Sequence, residues 1–438
     1  MKEEEIRKKI NDDIKKFFEF KKNKTKSPPG STKIQYSGAI YDENEIVSII
    51  NTLLDGWFGL GKNAEKFENE FSKFLNVKNT IITNSGSSAN LLSITALTQR
   101  QTNDKLKKGD EVITPSVTFP TTFNPIIQNN LIPVLIDVDL GTYNINPEKI
   151  ENAISDKTKL IMIPHTLGNP NQMDTIMEIA EDHHLFVIED ACDALGSEYK
   201  GKMCGTFGDI GTFSFYPAHH MTMGEGGAIV TDNTEIKTIV RSLRDWGRAC
   251  FCKWNEKNSG GACGRRFDFK INGISYDHRY IYTNIGYNLK PLDLQAAMGI
   301  EQLKKLPDFI EKRKENFKIL YDEFLNYEEY FILPQSTKGA DPSWFAFPLT
   351  IRDNSSFERS EILKWLEKSN IQTRLLFAGN IIHQPAYKDI EYRIFGELKN
   401  SDKIMRDSFF IGVYPGITEE EIKYILLKFK EFIKKHKR

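Results

Sequence analysis

The sequence predicts an α/β protein, with a large, mostly parallel sheet domain followed by a smaller C-terminal α+β domain. Three observations carry this. From about residue 75, short apolar runs alternate with helix-length segments, as in successive βαβ units. Several of the runs end in small, polar or acidic residues, where ligands of such sheets gather. A long, charged helical stretch from about Leu294 to Phe324 then separates this region from the rest of the chain. The expected division is residues 1–30 as a charged N-terminal helix and linker, 31–300 as the large domain, and 301–438 as a linking helix and small domain.

The elements follow in order. Residues 1–24 carry Ile6, Ile10, Ile14, Phe17 and Phe18 near helical spacing, and Ser27-Pro28-Pro29-Gly30 breaks that helix. Thr80-Ile81-Ile82-Thr83 reads as a strand leading through a Ser-Gly turn into a helix. Glu111–Thr114, Pro133–Asp137, Leu160–Pro164 and Leu185–Asp190 read as further strands.

Composition excludes several classes. The 59 Lys and Arg nearly cancel 60 Asp and Glu, so nothing marks a nucleic-acid-binding protein. No apolar run is long enough to cross a membrane. The N-terminus, Met1-Lys2-Glu3-Glu4-Glu5, lacks the apolar core of a secretory signal, so a cytoplasmic enzyme is expected. Five cysteines are too few for a disulfide framework in a chain this long, and clustered ones point to metal or catalysis.

Four segments carry chemistry. Asn84-Ser85-Gly86-Ser87-Ser88-Ala89-Asn90 turns from a strand into a helix. Such a turn offers N–H groups and hydroxyls to an anion, and by itself it also fits a plain helix cap. Phe119 lies in Thr118-Phe119-Pro120, and Asp190 ends an apolar strand in Glu189-Asp190-Ala191-Cys192-Asp193. Ser214-Phe215-Tyr216-Pro217-Ala218-His219-His220 runs on to Gly224-Glu225-Gly226-Gly227. Cys250, Cys252 and Cys263 cluster further on, and the Cys-x-Cys pair alone fits metal ligation and burial equally well.

In order and spacing these segments resemble the DegT/DnrJ/EryC1/StrS family of fold-type I enzymes dependent on pyridoxal phosphate (PLP). The resemblance implies a cofactor site. Gly86, Ser87, Ser88 and Ser214 would meet the phosphate, and Phe119 would stack on the pyridine ring. Asp190 would hold the ring nitrogen protonated, and Asp193 would lie beside the ring hydroxyl. Asn288 would reach the phosphate from a neighbouring subunit, which implies a homodimer with a shared site. The family's aminotransferases carry a lysine where this chain has His219. Imidazole cannot form the lysine's stable Schiff base, yet it can move a proton near neutral pH. That substitution resembles the sugar 3-dehydrases, which work with pyridoxamine phosphate (PMP) and take His219 as the catalytic base.

The cysteines extend the resemblance to the iron–sulfur 3-dehydrases of CDP-4-keto-6-deoxyglucose. It implies a [2Fe-2S] cluster on Cys192, Cys250, Cys252 and Cys263. As in that pattern, 57 residues lie between Cys192 and Cys250, whereas the ten between Cys252 and Cys263 make a longer gap than the pattern's. The implied partners are a nucleotide-linked 4-keto-6-deoxyhexose and an NADH-dependent flavin iron–sulfur reductase, in dideoxysugar and surface polysaccharide synthesis. A cluster-free, glutamate-dependent 3-dehydrase and a sugar aminotransferase are the competing expectations. Arg374 and His383 are candidates to face substrate phosphates, His220 is expected to pack, and Cys204 is expected to be a bystander.

Overall fold

In the computed structural model, residues 2–22, 28–101, 104–250 and 266–437 are described. Helix α1 (Glu3–Lys22) is followed by α2 (Glu43–Leu54) and α3 (Lys62–Leu75). Strand β1 (Asn79–Thr83) then leads into α4 (Gly86–Thr98), β2 (Glu111–Pro115), α5 (Pro120–Gln128) and β3 (Ile132–Ile136). Next come β4 (Thr158–Pro164), α6 (Met173–Asp182), β5 (Phe186–Asp190), β6 (Ile210–Ser214), β7 (Gly227–Thr231) and α7 (Thr234–Arg244). The expected strands all form, each within a residue or two of its expected bounds.

Among the described residues one sheet has eight strands, in the order β1-β7-β6-β5-β4-β2-β3-β9, where β9 is Arg393–Phe395. Strand β7 runs antiparallel to both neighbours, and every other pairing is parallel. Adjacent strand residues point to opposite faces. Val112, Leu160 and Ile188 therefore pack with Leu92 of α4 and Val240 of α7, while Ile113, Ile161 and Val187 pack with Ile176 of α6. Burial on both faces is why these strands read as unbroken apolar runs.

The long helix α8 (Asp293–Phe324) forms as expected. Ile300, Leu306 and Ile310 pack in the core around α3, whereas Leu320 and Phe324 pack with β8 (Ala346–Ile351), β10 (Ser408–Gly412) and α9 (Glu419–His436). Strand β9, from the chain's last fifty residues, closes the edge of the large sheet. It is held there by Arg393, whose Nε and Nη2 donate to the two Glu111 carboxylate oxygens at 3.0 and 2.6 Å. Among the described residues, no helix is long and apolar enough to cross a membrane.

Asp293, 2 % exposed, joins two distant parts of the chain. It accepts hydrogen bonds from the N–H groups of Gly61 and Ala64, both at 2.9 Å, and from Asn63 Nδ2 at 2.9 Å, capping α3 from the start of α8. Asp293→Ala would strand those donors and is expected to lower stability by roughly 1–3 kcal/mol. Urea unfolding of the variant against the parent measures it, and an unchanged midpoint contradicts the capping role.

Candidate active site

The carboxyl ends of the parallel strands open into a cavity of about 520 Å³, a size suited to a small organic ligand. One wall comes from strand ends and the turns after them. Strand β1 ends at the Ser85 turn, where Ser85 Oγ accepts from the Ser88 N–H at 3.1 Å and starts α4. Gly86 and Ser87 line the cavity. A Cβ on Gly86 would stand 2.6 Å from Ser214 Cβ and 2.9 Å from Cys192 Sγ, so bare backbone is required there. Gly227 meets the same constraint from the other side: its Cβ would fall 2.4 Å from the Ser85 carbonyl carbon. Gly227 thus lets β7 run against the turn.

Strand β5 ends in two carboxylates. Asp190 lines the cavity and is 6 % exposed. Asn90 Nδ2 donates to its Oδ2 at 2.7 Å, Thr122 Oγ1 donates to the same oxygen at 2.6 Å, and the Cys192 N–H donates to Oδ1 at 3.1 Å. Thr212 Oγ1 donates to Asn90 Oδ1 at 2.6 Å, which fixes the Asn90 amide with its nitrogen toward Asp190. Glu189, fully buried, accepts from the N–H groups of Gly205, Phe207 and Gly208 at 2.6–2.8 Å and from His165 Nε2 at 2.9 Å. His165 in turn lines the cavity.

His219 lines the opposite wall, with Asp193 and Phe345. Its Nδ1 lies 3.3 Å from Asp193 Oδ1, and its ring centroid lies 5.5 Å from that of Phe345. Phe119, half exposed, lines the cavity and packs edge-on against Phe377 at 5.7 Å, so it is no core residue. Cys192 also lines the cavity, and burial together with the Asp190 carboxylate pushes its thiol well above the usual range.

The remaining expected residues lie elsewhere. Ser88 bonds locally to Ser85, and it does not line the cavity. Asn288 is also outside the lining; its backbone bridges Asp245, and its side chain accepts from Lys290. Cys250 is a half-buried free thiol, and Cys252 and Cys263 lie outside the described residues. Arg374 reaches the cavity with its guanidinium 4.4 Å above the Tyr36 ring, whereas His383 is bonded to Asp402 at 2.9 Å instead. His220 is buried, with Nε2 at 2.7 Å from the Ser343 carbonyl, and Cys204 is buried in the core around α3.

The sequence assigned no individual role to Asn90, Thr122, Thr212, His165 or Phe345, although Asn90, Thr122 and His165 lie in segments that fit the family. A polar residue inside the apolar stretch of α4 was the available signal for Asn90. Phe345 belongs to no motif; its N–H donates to the Leu167 carbonyl at 2.8 Å and its carbonyl accepts from Arg313 of α8 at 3.0 Å.

Residues 40–430 match the DegT/DnrJ/EryC1/StrS aminotransferase family, and the chain belongs to that family. It is 48 % identical over 406 residues to the lipopolysaccharide biosynthesis protein RfbH of Salmonella typhimurium, covering 92 % of each chain. It is 46 % identical over 409 residues to the dTDP-4-dehydro-2,6-dideoxy-D-glucose 3-dehydratase of Saccharopolyspora spinosa, covering 93 % of this chain and 88 % of the relative. A crystal structure of GDP-4-keto-6-deoxymannose-3-dehydratase with a trapped PLP–glutamate geminal diamine superposes with a TM-score of 0.82 at 32 % identity, covering 90 % of this chain and 99 % of the other.

The Glu189 network makes a prediction. In Glu189→Gln either amide orientation sets an NH2 group against backbone donors, since each carboxylate oxygen accepts from at least one N–H. A loss of about 2–4 kcal/mol is expected. Denaturant unfolding reads it, and parental stability would mean that the carboxylate charge is dispensable.

Proposed function

We propose that the protein is a nucleotide-sugar 3-dehydratase that uses PLP in its pyridoxamine form, PMP. It would remove the C3 hydroxyl of a nucleotide-linked 4-keto-6-deoxyhexose, with CDP-4-keto-6-deoxyglucose as the first substrate to test. The observation that carries this reading is His219, a proton carrier without an amine, standing in the same cavity as Asp190. The likeness to two proteins named as 3-dehydratases supports it.

The cavity's residues fit a phosphorylated pyridine. Gly86 leaves bare backbone at the start of α4, where N–H groups and the helix dipole favour an anion. Ser87 and Ser214 add hydroxyls, Asp190 is a fixed carboxylate, and Phe119 presents an open aromatic face. Once bound, the cofactor would supply an amine for the sugar ketone and a ring that accepts an electron pair.

The chain's own residues then have distinct tasks. Asp190, oriented by Asn90 and Thr122, would keep the ring nitrogen protonated. His219 has Nδ1 buried beside Asp193, which leaves Nε2 to take a proton and return it to the departing C3 hydroxyl. A positioned acid–base group of this kind contributes about 10²–10⁴ in rate. Histidine also has no amine with which to capture the cofactor. Asn288 would act from a second copy of the chain, in a homodimer with shared sites.

The reading extends to a [2Fe-2S] cluster on Cys192, Cys250, Cys252 and Cys263, with an NADH-dependent flavin iron–sulfur reductase as electron donor. Its support is the cysteine spacing. Among the described residues no three of His, Cys, Asp or Glu are grouped to hold a metal, and two of the four cysteines lie outside those residues. A second reading, a cluster-free dehydratase that draws its amine from glutamate, is favoured by the likeness to the glutamate-bound structure.

Two measurements test this. His219→Lys is expected to lose dehydration and to gain the absorbance of a lysine-bound PLP; full dehydration in that variant would remove His219 from its role. Anaerobically purified protein is expected to hold about two irons and matching sulfide per chain, with a [2Fe-2S] EPR signal on reduction. Iron-free protein that dehydrates the sugar with glutamate would establish the second reading.

A further inference from the structure

Behind His219, on the side away from the cavity, the chain buries a cation. Arg313 of α8 is 1 % exposed, and among the described residues no carboxylate lies within ion-pair distance. Burial pushes its guanidinium down to about 9, against an opposing pull from Asp193. An unpaired buried charge costs stability, so its hydrogen bonds are informative. Nη1 donates to the Phe345 carbonyl at 3.0 Å, and Nη2 donates to the His219 carbonyl at 3.2 Å. One rigid fork thus ties together the backbones of two residues that pack against each other in one wall of the cavity.

The remaining donor of the fork, Nε, belongs to a side chain that shares a small void with His220. The Ser343 carbonyl can only accept, so His220 Nε2, 2.7 Å away, carries the hydrogen. Burial, reinforced by the Arg313 charge, holds the imidazole neutral, and Nδ1 is therefore an acceptor. That Nδ1 and the donor Nε of Arg313 are both buried and have no hydrogen-bond partner among the described residues. His219, His220 and Arg313 line one small void of about 10 Å³, close to the room one water needs. A water there could accept from Arg313 Nε and donate to His220 Nδ1, satisfying both.

We propose that Arg313 is a positioning residue for His219, acting through the fork to the His219 and Phe345 carbonyls and through one buried water shared with His220 Nδ1. The proposal rests on the reading of His219 as the base. Asp193 flanks the imidazole at Nδ1, and Arg313 fixes the main chain from which the ring hangs. Displacing that main chain would spoil the aim of the ring without touching the cofactor site at Gly86 or Asp190.

The test has a structural and a kinetic arm. A high-resolution crystal structure of the cofactor-loaded protein is expected to show an ordered water within hydrogen-bond distance of both Arg313 Nε and His220 Nδ1. A well-ordered map with no such water overturns the bridging arrangement. In Arg313→Met, kcat is expected to fall about 10- to 100-fold, with KM, cofactor absorbance and Tm little changed. Unchanged kcat, or a loss that merely follows Tm and cofactor content, overturns the positioning role. Arg313→Lys guards against a misfolded methionine variant. Its ammonium keeps the charge without the fork, so partial recovery is expected, and parental kcat would show that charge alone suffices and overturn the proposal. The outcomes separate from the reading of His219 itself: dehydration retained in His219→Lys removes the base, whereas the water stands or falls by the map.

Discussion

Two adjacent carboxylates at the end of one strand organise the carboxyl edge of the sheet. The pleat of β5 sends Glu189 and Asp190 to opposite faces. Glu189 gathers the turn at residues 205–208 and the His165 ring, and it has no contact with solvent. Asp190 points the other way and is presented to the cavity by Asn90 and Thr122. The first anchors the strand and the second serves the site. Because they are neighbours in sequence, the position of the functional group is set by the bonding of the structural one. The flanking elements obey the same requirement. Helix α4 brings Asn90 and the Gly86 turn, and β6 brings Thr212 and Ser214.

The opposite wall is built differently. His219 lies between strands β6 and β7, in a segment shaped by turns and by neighbours from distant parts of the chain. Asp193 approaches from the end of β5, Phe345 from the start of the C-terminal region, and Arg313 from the middle of α8. These three contacts restrain both the His219 ring and its peptide.

Much of this was legible in the sequence because it is local. Strands β1 to β5 announce themselves as apolar runs, since both sheet faces are covered. Gly86, Ser87, Phe119, Asp190, Asp193, Ser214 and His219 lie in strand-end motifs, and the cavity gathers them all. What escaped notice depends on contacts distant in sequence. Strand β9 has three residues and no pattern of its own, and it exists because Arg393 finds Glu111. Phe345 and Arg313 have no motif to mark them. The spacing of Cys192 and Cys250 could suggest a shared ligand role, but spacing alone does not bring two thiols together. Asn288 stands outside the cavity of its own chain.

The cavity is lined at one extreme by Tyr36 and at the other by Phe410. Nearly the whole polypeptide must therefore be synthesised before the pocket has walls. At roughly 5–20 residues per second, that is about 20–80 seconds of translation. During that time β3, paired with β2 on one side, keeps an open edge on the other until β9 is made. The lining from Gly86 to His219 is thus made first, and the walls from Phe345 to Phe410 close over it last.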